Sequence, residues 1–321
     1  MDDVLQAAVE HAVRAPSTHN TQPWSFRVDS AGDTVRLYAD RSRLLQQVDP
    51  DGRELVISCG AALFTLELAI RGFGREARVD VLPDPAEPDL IAMVSLGNKR
   101  QPNRLEGKLF DAIPNRRTNR RSFYSRRVPK GLVWKIEQAA DAEGASFLSI
   151  VEKRAEVADL LARADVHQFR DKGFRRELAS WLRSNDSRRG DGMPGYSFGF
   201  GNLSSKLAGS VLRRFDLGRS QASKSRKLAT SSPLLGLIVT DGDEPRNWVH
   251  AGRALQRILL EATSEGVSAS FLNQAVEVPQ FRDQLRGLVG SSGSPQLLLR
   301  FGYAPQARPV PRRPLAEVLV T

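Results

Sequence analysis

The chain has 321 residues, 40% of them apolar and 26% charged, with one cysteine and a formal net charge of +10. A chain of this length buries a large core and has room for two domains of ordinary size. The lone Cys59 excludes an intramolecular disulfide, and no run reaches the roughly 18–20 apolar residues of a membrane span.

The acidic, then amphipathic start "MDDVLQAAVEH" has no signal-peptide character, so the expectation is a soluble cytoplasmic protein. Arginine supplies most of the positive charge. That balance suits acidic partners such as nucleic acid, phosphorylated cofactors or an anionic membrane, and equally suits a genome rich in arginine.

Val4, Leu5, Ala8, Val9, Ala12 and Val13 recur at helical spacing, and Pro16 closes that helix. "WSFRV" and "TVRLYAD" read as a hairpin joined by "DSAGD". "ELVISCGAALFTLELAIRGFG" predicts a long helix buried on most of its circumference and ending on glycine. "REARVDVLP" and "DLIAMVSLG" predict strands.

The second half repeats this order. "GLVWKIEQAADAEG" is helical and "ASFLSIVE" strand-like. "AEVADLLARADV" and "FRRELASWLRS" are helical, and "PLLGLIVTD" is a buried strand. "PRNWVHAGRALQRILLEATSEG" is a second long helix, followed by the strand "VSASFL", the helix "PQFRDQLRGLVG" and the strand "PQLLLRFGY".

"CGAALFTLELAIRGFG" (59–74) and "AGRALQRILLEATSEG" (251–266) match in length and pattern: small residues first, a Leu-rich middle, glycine last. The match points to an internal duplication, with halves at 1–105 and 106–321. Residues 186–227 break the pattern. This segment is rich in Gly and Ser, has little periodicity and reads as a long loop that is either functional or disordered. Tyr196, Phe198 and Phe200 favour a lid over a binding site, because disorder is aromatic-poor.

"GFGREA" (72–77) resembles a dinucleotide fingerprint but follows a helix rather than a strand, so it reads as a helix C-cap. His11, His19, His167 and His250 show no metal-ligand spacing, and no metal is expected. Cys59 reads as a small core residue. Two stretches remain. "RAPSTHNTQPW" (14–24) carries more kinds of hydrogen-bonding side chain than a plain loop needs. "NRRTNRRSFYSRR" (115–127) sets Arg116, Arg117, Arg120 and Arg121 beside Thr118 and Ser122, and guanidinium forks with hydroxyls suit phosphate. On residues alone, a phosphate ligand, nucleic acid stacked on Phe123 and Tyr124, or a bare basic surface explain the run equally.

"APSTHNTQPWSF" resembles one defining motif of the flavin-dependent nitroreductase superfamily, and "RRTNRRSF" its Arg-x-Ser-x-Arg-aromatic motif. "PRRPLAEV" is similar to the family's closing segment. "APSTHNTQPW", "RELASWLR", "DGMP" and "RRPLAEV" together resemble the duplicated, mycobacterial Acg-type subgroup, putting the resemblance over nearly the whole chain. It implies an α+β nitroreductase-like fold, internally duplicated so that one chain mimics the family homodimer, with an inserted lid. It implies one FMN per chain and no nucleic acid or membrane partner. Ser17, Thr18, Asn20 and Gln22 would form one wall of the flavin site. Arg116, Arg117, Thr118 and Arg120 would form the other, and Arg312 or its neighbour Arg313 would join the phosphate.

Ordinary members carry the Arg motif first and build each site between two subunits. Here the order is reversed, and the second half's counterpart, near "AADAEGASF", lacks the Pro, Asn and Gln. The chain therefore reads as a fused dimer, monomeric in itself, that kept one flavin site. Phe123 falls one residue later than the family's aromatic. The implied activity is NAD(P)H-dependent reduction of nitro compounds or quinones, with the flavin carrying the reaction and no catalytic side chain assigned. The other implied role is FMN storage beneath a closed lid.

Overall fold

The structure, a computed structural model, describes residues 2–29 and 31–320. Helix α1 (Asp3–Ala12) starts where the Asp2 side chain accepts a hydrogen bond from Val4 N, and it buries Leu5, Ala8, Val9 and Ala12 along one face. Strands β1 (Trp24–Val28) and β2 (Thr34–Ala39) follow as the expected hairpin. Helix α2 (Arg53–Gly72) is apolar and long enough to span a bilayer, but 89% of its apolar window is buried inside the protein. Phe73 caps it, and Gly74 beyond takes a φ of +79°, the left-handed glycine terminus expected for "GFGREA". Strands β3 (Arg75–Val81) and β4 (Leu90–Lys99) complete a sheet ordered β1-β2-β4-β3.

After α3 (Arg104–Ala112) the same order returns. Helix α4 (Lys130–Asp141) leads to β5 (Ser146–Ser149). An insertion follows, holding α5 (Arg154–Arg170), α6 (Lys172–Trp181), β6 (Leu182–Arg183), β7 (Met193–Pro194), α7 (Asn202–Arg214) and α8 (Gly218–Ser231). Then come β8 (Leu234–Thr240), α9 (Pro245–Ser264), β9 (Ser268–Phe271), α10 (Gln274–Glu277), α11 (Pro279–Val289) and β10 (Ser294–Gly302). The second sheet runs β5-β8-β10-β9, all antiparallel, as β1-β2-β4-β3 does. Its strands alternate. Leu297, Leu299 and Phe301 pack on α4 and α9, whereas Leu298 packs on the opposite face with residues of α5, α8 and α11. Finally α12 (Leu315–Val318) and β11 (Leu319–Val320) return to the first half, where β11 lies parallel to β1. The expected division at 105/106 is therefore crossed by the C-terminus.

The equivalence of the two halves rests on α2 and α9. They cross backbone to backbone: a Cβ on Gly252 would lie 2.0 Å from the Ile57 carbonyl oxygen, and one on Gly60 would lie 2.4 Å from that of Val249. These two glycines occupy the same place in the matched segments 59–74 and 251–266. Arg253 of α9 ties the crossing to its surroundings, with Nη1 2.8 Å from Glu67 of α2 and Nε 2.8 Å from Glu143.

The halves differ in three connections, one being the short β3–β4 link (82–89) against the β9–β10 link (272–293) that carries α10 and α11. The first half joins β1 to β2 across 29–33, where the second inserts 150–233. The first joins α1 to β1 across 13–23, where the second uses only 142–145. The expected loop at 186–227 is largely helical, as α7 and α8. Leu203, Leu207 and Val211 do keep a four-residue period, and α8 packs on α5 through small buried residues (Ala222, Ser225 and Ala229) that the Ser-rich composition disguised.

The insertion is clasped to the first half at Asp191. Its carboxylate lies 3.1 Å from Arg43 Nη1, 2.9 Å from Arg183 Nη2 and 3.1 Å from Arg189 Nε. Burial opposes the charge, but the bonds from Arg183, Arg189 and Arg43 hold the carboxyl down at about 2, below its ordinary 3.8.

Two outcomes follow from the crossing and the clasp. Gly252→Ala must separate α2 from α9 and should cost about 1–3 kcal/mol or more in a denaturant melt; an unchanged midpoint would remove the close approach. Asp191→Asn should destabilise the chain by a constant amount above about pH 4. The difference should shrink as pH falls toward 2 and the wild-type carboxyl is protonated, as read from melts of both proteins across that range.

Candidate functional site

The stretch 14–24 leaves α1 in a contorted path. His19, Asn20 and Gln22 have φ of 51°, 57° and 51°, left-handed values that non-glycine residues seldom adopt. Such strain costs of order 1–3 kcal/mol per residue and persists only where the surroundings enforce it. Here they do. Ser17 Oγ accepts from Gln22 N at 2.9 Å, and Thr18 Oγ1 donates to Glu54 at 2.7 Å. Asn20 Nδ2 donates to the carbonyls of Gly192 and Pro311 at 2.9 and 3.2 Å, and Asn20 Oδ1 accepts from Arg312.

The arginine loop between α3 and α4 is fixed from below. Asn119 N donates to Ala269 O of β9 at 2.9 Å. The buried Arg300 of β10 donates to the carbonyls of Asn119 and Arg121 at 3.1 and 3.0 Å. Phe123, beyond the motif, stacks its ring 4.2 Å from the Arg300 guanidinium.

These walls enclose a pocket lined by six arginines, at 14, 116, 117, 120, 308 and 312, with Ser17, Asn20, Thr118 and Ser197; among the described residues, no Asp or Glu lines it. Arg116 and Arg312 both donate to Arg14 O, at 3.0 and 3.1 Å. Burial, then Arg117, pushes Arg116 down to about 10, and burial alone does the same to Arg120. Burial, then Arg116, Arg117 and Arg14, takes Arg312 well below the ordinary arginine range. The buried Nε atoms of Arg116 and Arg117 have no hydrogen-bond partner. Crowded, desolvated guanidiniums without a counter-charge are a receptor for a multiply charged oxyanion, and a phosphate ester fits them.

Pro16, Ser17, Thr118, Arg120 and Met193 also line a second, larger cavity of about 260 Å³, so the two adjoin. Its floor comes from α2, α9 and β9–β10, at Ile57, Leu255, Phe271 and Leu297. Its roof comes from the insertion, at Phe169, Phe174, Met193 and Phe198. Arg120 lies 4.9 Å beneath the Phe198 ring. His19, in the same lining, is pushed down to about 4 by burial and then by Arg120, so its ring is neutral at pH 7.

Of the residues expected from sequence, Ser17, Asn20, Arg116, Arg117, Thr118, Arg120 and Arg312 meet at the arginine pocket, and Thr18 lines the larger cavity. Gln22 and Arg313 line neither. Gln22 is wholly buried, accepting from Arg313 N at 2.8 Å and donating to Gly190 O at 2.7 Å. Arg313 donates to the carbonyls of Gln22 and Glu317 at 3.0 and 2.7 Å. Both bind the chain to itself, holding the insertion and the C-terminus against the strained stretch. Sequence reasoning passed over Arg14, Arg308, Met193 and the carboxyls Glu54, Asp165 and Glu277. Asp165 carried a signal, a charge set four residues after Leu161 on the buried face of α5.

No family model matches the chain. Rv3131 of Mycobacterium tuberculosis, provisionally named an NAD(P)H nitroreductase, is 32% identical over 99% of this chain and 91% of its own length. Acg of the same organism, named likewise, is 27% identical over 98% of this chain and 95% of its own. Among solved structures, the FMN and NADPH-dependent nitroreductase NfnB of Sphigopyxis sp. strain HMH is 19% identical, with a TM-score of 0.44 over 66% of this chain and 98% of its own. NfnB of Mycobacterium smegmatis, solved with NADPH, is 17% identical, with a TM-score of 0.42 over 66% and 97%. By its identity to Rv3131 along nearly the full length of both, the chain belongs to the duplicated Acg-type group of the nitroreductase superfamily.

Proposed function

We propose that this chain binds one FMN across the adjoining cavities and works as an NAD(P)H-dependent flavin oxidoreductase acting on nitro compounds or quinones. The observation that carries the reading is the uncompensated arginine pocket beside a larger cavity floored and roofed by apolar side chains, with both sequence motifs on the walls. Arg14, Arg116, Arg117 and Arg312 would hold the phosphate. Ser17, Thr118 and Arg120, common to both cavities, would hold the chain and ring edge that follow it. FMN when bound supplies hydride acceptance and release, which ask no obligatory acid or base of the protein.

The chain's own residues then position and shield. Glu54 anchors Thr18, and the neutral His19 places an imidazole rather than a cation beside Arg120. Phe169, Phe174, Met193 and Phe198 would cover a bound ring and limit its contact with water.

A second reading, flavin sequestration, is favoured by the roof itself. Hydride transfer needs its donor within about 3–3.5 Å of the acceptor atom, and the Arg120–Phe198 contact and the Asp191 clasp both hold the insertion down.

Arg120→Ala should weaken FMN binding by about 1.5–3 kcal/mol, the range for a hydrogen bond to a charged group; unchanged affinity in a fluorescence titration would remove Arg120 from the site. NADPH or NADH should bleach the bound flavin's visible absorbance anaerobically within minutes. Bleaching by dithionite but by neither nicotinamide would replace the oxidoreductase reading with sequestration.

A further inference from the structure

The larger cavity has two chemically opposite ends. Arg120, Lys224 and Arg300 gather at one; burial and then the other two cations lower Lys224. At the other stand Glu54, Asp165 and Glu277. Glu54 is satisfied by Thr18 and by Arg53 at 3.3 Å, and Glu277 accepts from Gln168 Nε2 at 2.6 Å. Asp165 is different. It is 0% exposed and lines the cavity; Ser225 and Gln274 stand beside it, but neither carboxylate oxygen meets a donor at full hydrogen-bond geometry, and Oε1 of Gln274 is also unpartnered. Burying an unpaired carboxylate is costly, so three free acceptor atoms converging on one cavity need a donor rich in N–H.

A surface cleft adjoining this end has the same sign. Gln168, Phe174 and Glu277 also line a surface cleft that bears Asp49, Asp51, Asp171 and Asp243, against Arg53 and Arg282. Arg282 is already paired with Asp243 at 2.6 Å, and Arg53 donates to Gln296 O at 2.7 Å. An acidic cleft draws cations and repels anions such as a nicotinamide dinucleotide.

We propose that the carboxyl end is a subsite for a protonated amine or amidine, anchored by Asp165 with Gln274 and reached past Glu277. The second ligand is then an aromatic cation: its ring lies among Phe169, Phe174 and Leu228, and its nitrogen meets Asp165. Burial raises Asp165 to about 7 against the lowering by Ser225 and Gln274, and burial with Glu54 raises Glu277 to about 8; a bound cation would draw both back toward the ionised form. That this ligand is the electron acceptor rests on the flavin reading above; the subsite itself does not.

The test is calorimetric titration of the flavin-loaded chain with 4-nitrobenzylamine, its neutral counterpart 4-nitrobenzyl alcohol, and 4-nitrobenzoate. The amine should bind at least about ten-fold more tightly than the alcohol, as a hydrogen bond to a charged group gives, and the benzoate more weakly still. Asp165→Asn should erase the preference while retaining flavin absorbance. Equal binding of amine and alcohol by the wild-type chain, or a preference that survives Asp165→Asn, overturns the subsite. Should that substitution prevent folding, the wild-type ranking alone decides. A chain that takes up no flavin yet prefers the amine sinks the FMN reading and upholds the subsite.

Discussion

Everything in this fold depends on two helices touching without side chains between them. Gly60 and Gly252 bring α2 and α9 so close that a single methyl on either would strike the other's backbone. Helices ordinarily pack 8–10 Å apart, the distance being set by the residues at the contact. With glycine at both positions the two sheets draw in on opposite sides of one crossing. The stretch after α1 then comes within reach of the loop before α4. The arginine pocket is a consequence of that approach, since its walls come from positions about a hundred residues apart in each direction.

The duplication explains the asymmetry of the molecule. Strand order and pairing are the same in both halves, yet only one copy of each variable connection was elaborated. The first half kept a long, strained segment between its first helix and strand, and the second reduced it to a short turn. The second expanded the link between its first two strands into six elements that cover the site, where the first has a hairpin. One wall and one roof thus came from different copies, which suits a single asymmetric ligand site rather than two equal ones.

Much of this was legible in the residues. The periodicity of 4–13, the two long helices and the alternating strands are local signals, and the structure follows them. The site was legible where chemistry concentrates: Ser17, Asn20, Thr118 and the arginines at 116, 117, 120 and 312 face one pocket. Gln22 and Arg313 show the limit. A glutamine that holds a neighbouring carbonyl and one that holds a ligand look alike in sequence, and only the fold shows which way each points. Helices α7 and α8 were hidden because serine, glycine and lysine weaken the apolar signal. Asp165 was hidden because a lone acid in a helix is usually solvated, and its burial depends on α8 lying across it.

The return of β11 to the first sheet has a consequence for truncation. Arg308 and Arg312 line the pocket on the segment that runs into β11, whose pairing with β1 holds that segment against the first half. A chain cut before Arg308 would keep both long helices and much of both sheets, but it would lack two of the six guanidiniums and the strand that anchors them. Loss of the last strand would therefore strip the anion pocket of part of its charge while leaving the two helix-centred cores in place.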